Sequence, residues 1–404
     1  MKQTRFPPWL IPLLACAVLT QAALNLSRPS VTYRVIGLGG DALAVGLVTA
    51  AFAVLPLAVA MPLGRLTDRM RGLSLVVSAG CLLMGGGAVL MSTTETVLAL
   101  AVASAVLGLG QLTFMVGAQA MVGRWSPDSL LDRGFGWFTA AVAFGQLFGP
   151  LIAGGLLGDA SGSELAEASR TAFWVAGGLA LLPLPLVALI ARRTRSLRRS
   201  RTPRSELPPV ERSLALIRRP GVAAGMYASL ALLATVDVLL AYLPLIGERN
   251  GIAPSMVGVL LALRSVGTIL SRLLLDRMLR LWDHGQLVVA SAAGAAVALA
   301  LVPIPWVGFA GMAAALLVGG FLLGVGQPLT MSMLARAVPH NARSSVLALR
   351  MVANRVGQVG VPSVAGLVAA SAGAAGAWWL SCGLLLSAAA VSRRSAAATS
   401  FDGD

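Results

Sequence analysis

The sequence predicts an all-α membrane protein with twelve transmembrane helices arranged as two six-helix bundles. Three observations lead there. Of the 404 residues, 57% are hydrophobic and only 12% are charged, about half the charge of an ordinary soluble domain. The apolar residues fall in long runs bounded by charges, Pro and Gly, and about 20 of them suffice to cross a bilayer. Short patterns of the first half also return in the second half at a nearly constant distance. Strands are not in contention, because an open sheet would leave unpaired backbone groups in lipid.

The expected spans are residues 9–36, 42–63, 73–93, 97–122, 134–157, 171–191, 221–246, 254–275, 286–304, 308–335, 344–370 and 374–391. Charge orients them. Connections on one side hold 24 basic residues: Lys2, Arg5, Arg65, Arg69, Arg71, Arg124, Arg133, ten arginines from Arg192 to Arg219, Arg272, Arg277, Arg280, Arg336, Arg343, Arg393 and Arg394. The opposite side holds only Arg34, Arg170 and Arg249, beside Asp41, Glu95, Asp159, Glu164, Glu167 and Glu248. The basic side is the cytoplasmic one, so both termini are expected there. The excess of Arg over Lys resembles a GC-rich bacterial genome and suggests a bacterial cytoplasmic membrane. Met1–Arg5 before an apolar run has the outline of a signal peptide, but the spans that follow favour an uncleaved first helix.

The longest polar segment, 192–220, separates an N-terminal bundle (1–191) from a C-terminal bundle (221–404). It reads as a basic cytoplasmic linker held near anionic lipid; a regulatory or nucleic-acid tail is the other reading. In a soluble protein the net charge of +15 would suggest nucleic acid. Here the basic residues punctuate apolar runs, and the expected partners are the lipid bilayer and a small molecule, not nucleic acid. A monomer is expected.

Several functions are excluded. Lys2 is the only lysine, so the chain has neither a phosphate-binding G-x-x-x-x-G-K-[ST] loop nor an intramembrane lysine for a Schiff base. His284 and His340 fall in connections, and Cys16, Cys81 and Cys382 stand singly in apolar segments. Neither set has metal-ligand spacing, so no cofactor or metal is expected. No Ser-His-Asp or Cys-His group and no paired carboxylates point to an enzyme.

The two halves repeat. Asp68-Arg69-Met70 returns as Asp276-Arg277-Met278, 208 positions later. Gly108-Leu109-Gly110-Gln111 returns as Gly324-Val325-Gly326-Gln327, and Gly145-Gln146 with Pro150 and Gly154 returns as Gly357-Gln358 with Pro362 and Gly366, offset by 212. Parallel repeats about an axis along the membrane normal suit a transporter that rocks one half against the other around a midplane site.

Gly64-Arg65-Leu66-Thr67-Asp68-Arg69-Met70-Arg71 resembles the G-x-x-x-D-R-x-x-R loop signature of the major facilitator superfamily, and the twofold six-span plan extends that resemblance over the chain. The fifth span, with Gly136, Gly145, Gly149, Pro150 and Gly154, is similar to the glycine-proline signature of the superfamily's proton-coupled drug and metabolite exporters. Ala153 stands where one glycine is expected, and Ser104 where those exporters carry an arginine. The resemblance implies a secondary transporter working by alternating access, with proton-coupled efflux of a small organic compound as the leading expectation. Uptake of a small organic anion is the alternative, and a non-transporting scaffold or receptor a remote one. It also implies a cytoplasmic gate of Gly64, Asp68, Arg69, Arg71, Asp276 and Arg277, in which Asp68 would dock at the start of the eleventh span, near Ser344 and Ser345. The other reading is that these arginines only obey the charge rule. Gly145, Gly149, Pro150 and Gly154 are expected at a close helix–helix interface.

A charge inside the bilayer needs a partner or a task. The candidates are Arg28, Asp237, Arg264, Arg350 and Arg355. The 208 offset brings Arg28 to position 236, beside Asp237, so this opposite pair is expected to serve proton coupling across the cavity; a purely structural ion pair is the plain alternative. Polar faces supply the other cavity candidates: Gln21, Asn25 and Arg28 on the first span, Gln111 and Met115 on the fourth, Gln327 and Met331 on the tenth, and Asn354, Arg355 and Gln358 on the eleventh. The positive excess of the intramembrane charges favours an anionic substrate.

Overall fold

The computed structural model describes residues 7–70, 72–126, 130–194, 215–219, 221–338 and 343–401. Every regular element among them is helical: α1 (Leu10–Gly37), α2 (Ala42–Arg69), α3 (Leu73–Ser92), α4 (Val97–Trp125), α5 (Leu131–Leu157), α6 (Ser163–Leu181), α7 (Leu184–Arg193), α8 (Val222–Arg249), α9 (Pro254–Leu281), α10 (His284–Ala300), α11 (Gly308–Arg336) and α12 (Arg343–Phe401). Ten helical stretches are long and apolar enough to cross a membrane, one of them formed by α6 and α7 together, and α10 is a shorter apolar helix. The protein is a multi-pass membrane protein.

Three stretches differ from the hydropathy reading. The sixth helix starts at Ser163, not near 171, so Glu164, Glu167 and Arg170 lie in helix rather than in a connection. Charged residues at helical spacing lower hydropathy without breaking a helix. Pro183 and Pro185 divide the remainder into α6 and α7. The expected spans 344–370 and 374–391 form one helical run whose only break in backbone angles is Gly373, at φ 71° and ψ −179°, a conformation open to a residue without Cβ. This run passes Arg393 and Arg394. Finally, α10 has 17 residues, and its last carbonyls are met by indoles of α12: Trp378 Nε1 donates to the Leu299 oxygen at 2.8 Å and Trp379 Nε1 to that of Ala300 at 3.2 Å.

The chain forms two compact units, residues 1–38 with 51–205, and residues 39–50 with 206–404. In the first, α1 packs along α5 and α6, and α3 along α4 and α6; in the second, α8 packs along α12, α9 along α11, and α10 along both α11 and α12. Small residues allow the close crossings. A Cβ on Gly145 would stand 2.5 Å from the Val18 carbonyl oxygen, and one on Gly149 would stand 2.7 Å from that of Ala22. Pro150 lies one residue further along α5 and is buried, as is Gly154. The first turns of α2 belong to the second unit. There Tyr242 donates to the Ala42 carbonyl at 3.0 Å, and a Cβ on Gly46 would meet the Pro362 carbonyl oxygen at 2.6 Å.

Candidate functional site

The helices α1 and α8, which open the two halves, are the most enclosed. Their most apolar windows are 72% and 83% buried, against 39–56% for the other spans. Polar groups on these helices are shut away from lipid and must find partners within the protein.

In the first unit these partners lie on the same helix and on neighbouring ones. Asn25 Nδ2 donates to the Gln21 carbonyl one turn back, at 2.9 Å. Gln21 Nε2 points at the Met115 sulfur of α4, at 3.6 Å, so two of the expected cavity residues meet. Gln111, one turn before Met115, keeps a buried Oε1 with no hydrogen-bond partner among the described residues. The Arg28 guanidinium lies 4.7 Å above the Phe52 ring, a cation–π contact that offsets part of the cost of a charge in low dielectric.

In the second unit polar side chains meet one another across helices. Asp237, at the middle of α8, is 2% exposed. Gln358 of α12 donates its amide nitrogen to Asp237 Oδ2 at 2.8 Å and accepts from Arg355 Nη1 at 2.9 Å through its amide oxygen. Arg355 and Gln358 are three residues apart on one helix face, and the amide passes charge-assisted hydrogen bonding from a cation to an anion. Asn354, also buried, leaves its Oδ1 without a partner among the described residues. Arg264 is 3% exposed and donates to Ser265 Oγ at 3.1 Å. Gln327 of α11 accepts from Arg350 at 2.9 Å, and Arg350 also donates to Ser229 Oγ at 2.7 Å. Met331 is 46% exposed and stands outside this network.

Two arginines have structural duties that the charge count missed. Arg34, counted among the few cations of the opposite side, lies in the last turn of α1 and is 3% exposed. It donates to the carbonyls of Thr94 and Ala166, binding the end of α3 to the start of α6. Arg124 donates to the carbonyls of Thr67 and Met70, at 2.9 and 3.1 Å. It thereby caps the C-terminal end of α2, where a cation is favoured. Gly64, Asp68 and Arg69 fall in the closing turns of α2 rather than in a loop, and Asp276 and Arg277 in those of α9. The side chains of Arg69, Asp276 and Arg277 are exposed. Arg71 and the side chains of Asp68, Ser344 and Ser345 lie outside the described residues.

The family model of the Major Facilitator Superfamily matches residues 13–307 and 228–399. The chain belongs to this superfamily of membrane transporters. Solved structures agree in fold. The nucleoside transporter NupG has a TM-score of 0.80 at 11% identity, covering 96% of this chain and 99% of its own. A peptide transporter of the POT family scores 0.78 at 15% identity, with 98% and 96% covered. A bacterial homolog of the human lysosomal transporter Spinster, in an inward-facing and unoccupied conformation, scores 0.70 at 14% identity, with 97% and 96% covered. No curated protein matches the sequence significantly.

Proposed function

We propose that this superfamily member is a secondary active transporter that exports a small organic compound across the cytoplasmic membrane by alternating access, in exchange for protons. The proposal includes twelve spans in two bundles, 1–191 and 221–404, joined by the linker 192–220, with both termini cytoplasmic. Asp237 carries the coupling proton, and Arg28 on the first span supplies its opposite charge. Gln21, Asn25, Gln111, Met115, Gln327, Met331, Asn354, Arg355 and Gln358 supply the cavity surface. Asp68, with Arg69 and Arg71, acts as the cytoplasmic latch.

The observation that supports this most is the chain from Asp237 through Gln358 to Arg355. A carboxylate at mid-helix, buried and tied to a cation through one amide, changes the charge of the whole group when it takes up a proton. Burying ionised groups is costly and their retention calls for a task. The nucleoside and peptide transporters of the same fold are consistent with an organic solute. Uptake of an organic anion is the second reading, favoured by the surplus of arginines in the second unit.

Vesicle transport separates the two. A labelled solute is first chosen by comparing susceptibility and uptake in cells with and without the protein. Everted vesicles with an acidic lumen should then accumulate it, and a protonophore should abolish the accumulation. Asp237→Asn should reduce gradient-driven accumulation by about tenfold or more, equivalent to ~1.4 kcal/mol of lost coupling. An unchanged dependence on the gradient would remove Asp237 as the carrier, and accumulation only in right-side-out vesicles would establish uptake.

A further inference from the structure

Arg350 is left without a task by the proton-coupling network. It lies about 10 Å into α12 from Arg343, the same depth at which Ser229 lies in α8 from Val222. Its Nε donates to Ser229 Oγ at 2.7 Å, and its Nη2 donates to Gln327 Oε1 at 2.9 Å and to the Gln327 carbonyl at 3.4 Å. Gln327 closes the triangle, its Nε2 reaching the Ser229 carbonyl at 3.4 Å. These partners are all neutral. They fix the plane of the guanidinium and, among the described residues, leave its positive charge uncompensated. Nη1 makes no hydrogen bond among the described residues, and the side chain is half-buried rather than sealed.

Arg34 and Arg124 differ from it, each with two bonds to backbone carbonyls at helix ends, as expected of arginines that hold a fold together. Arg350 is steered mainly by side chains. The fold also manages without such a group in its other half. The 212 offset takes Arg350 to Phe138, and the 208 offset takes Ser229 to Gln21. Gln111, the counterpart of Gln327, has a buried oxygen that no arginine meets. An oriented guanidinium with a free edge and no carboxylate partner has the donor geometry that a carboxylate or phosphate accepts in bidentate fashion.

We propose that Arg350, oriented by Ser229 and Gln327, is an oxyanion-binding site, and that the transported compound carries a carboxylate or phosphate which docks there. The second clause rests on the transporter reading; binding itself does not.

Equilibrium binding tests the site directly. The purified full-length protein, in nanodiscs of zwitterionic lipid, is titrated with acetate, benzoate and inorganic phosphate, with benzamide as the neutral control. Thermal unfolding and tryptophan fluorescence are followed. At least one anion should give a saturable shift that benzamide does not. Arg350→Gln should weaken it about tenfold or more, with Arg350→Lys intermediate, because an ammonium keeps the charge but loses the fork. Ser229→Ala, which removes only an anchor, should weaken it less, and it serves with Arg350→Lys if Arg350→Gln fails to fold. Repeating the titration in phosphatidylglycerol discs distinguishes the source of the anion. If the shift disappears there, a lipid headgroup competes for the site and the cargo clause is overturned; if it persists, the soluble anion is supported. No shift with any of the three anions in either lipid, or an equal shift in Arg350→Gln, overturns the site. Intact binding in a protein that moves no solute would instead count against the transporter reading.

Discussion

α5 and the first part of α12 run beside the opening helix of their own unit, but among their described side chains only those of α12 carry charge into the protein interior. The 212 offset pairs Gly145, Gln146, Pro150 and Gly154 with Gly357, Gln358, Pro362 and Gly366. The same offset pairs Phe138, Val142 and Ala143 with Arg350, Asn354 and Arg355. The small and helix-shaping residues and one glutamine are common to both copies, whereas the other polar stations, Arg350, Asn354 and Arg355, have apolar counterparts. Backbone packing therefore sets which residues the two helices share, and the chemistry is concentrated in the second unit. There, hydrogen bonds join α8, α11 and α12. In the first unit Gln21 meets a thioether, Asn25 a helix carbonyl and Arg28 the face of an aromatic ring.

The largest effect that this difference predicts is at Gln358. Gln358→Leu removes the donor to Asp237 and the acceptor from Arg355 together, taking one hydrogen bond from each of two charged groups in one step. It should reduce gradient-driven transport more than tenfold and cost about 3 kcal/mol or more of stability, read from thermal unfolding. Gln146→Leu, its counterpart on α5, should cost less by both measures; equal losses would break the asymmetry between the helices. Next come the glycine crossings. Gly149→Ala pushes a methyl toward the Ala22 carbonyl, which is backbone, whereas Gly357→Ala meets the Leu230 side chain. The first should cost about 1–3 kcal/mol as overpacking and the second less, since a side chain yields more readily than a helix axis. The smallest effect is at Asn25, whose amide, among the described residues, bonds within its own helix. Asn25→Ala should lower stability by about 1 kcal/mol or less, and a larger loss would reveal wiring in the first unit comparable to that in the second.

The helices were legible in the sequence because hydropathy reports directly on burial in lipid, and most expected spans lie on helices within a few residues. What hydropathy could not see were the ends. Glu164 and Glu167 read as a connection because they are charged, yet they sit in the first turns of α6. Arg34 entered only as a count toward orientation, because a charge count has no access to the carbonyls of Thr94 and Ala166. At the candidate site, the spacing put Arg350, Asn354 and Gln358 on one helix face with Arg355 about 100° away, so the bond from Arg355 to Gln358 appears only in the structure. The link to Asp237 spans 121 positions and appears only once α8 and α12 are packed. Ser229 was missed altogether. A signal for it existed, since the 208 offset that joins Asp68 to Asp276 also joins Gln21, already singled out, to Ser229.

The assignment of residues 39–50 to the second unit has a practical consequence. Cutting the gene between codons 194 and 215 would look like a clean division, but the C-terminal product would lack the Ala42 carbonyl that Tyr242 binds and the glycine face that lies against Pro362. A polypeptide beginning at residue 215 would be a half with a missing stave, and co-synthesis with its N-terminal partner is the condition under which it should survive in the membrane.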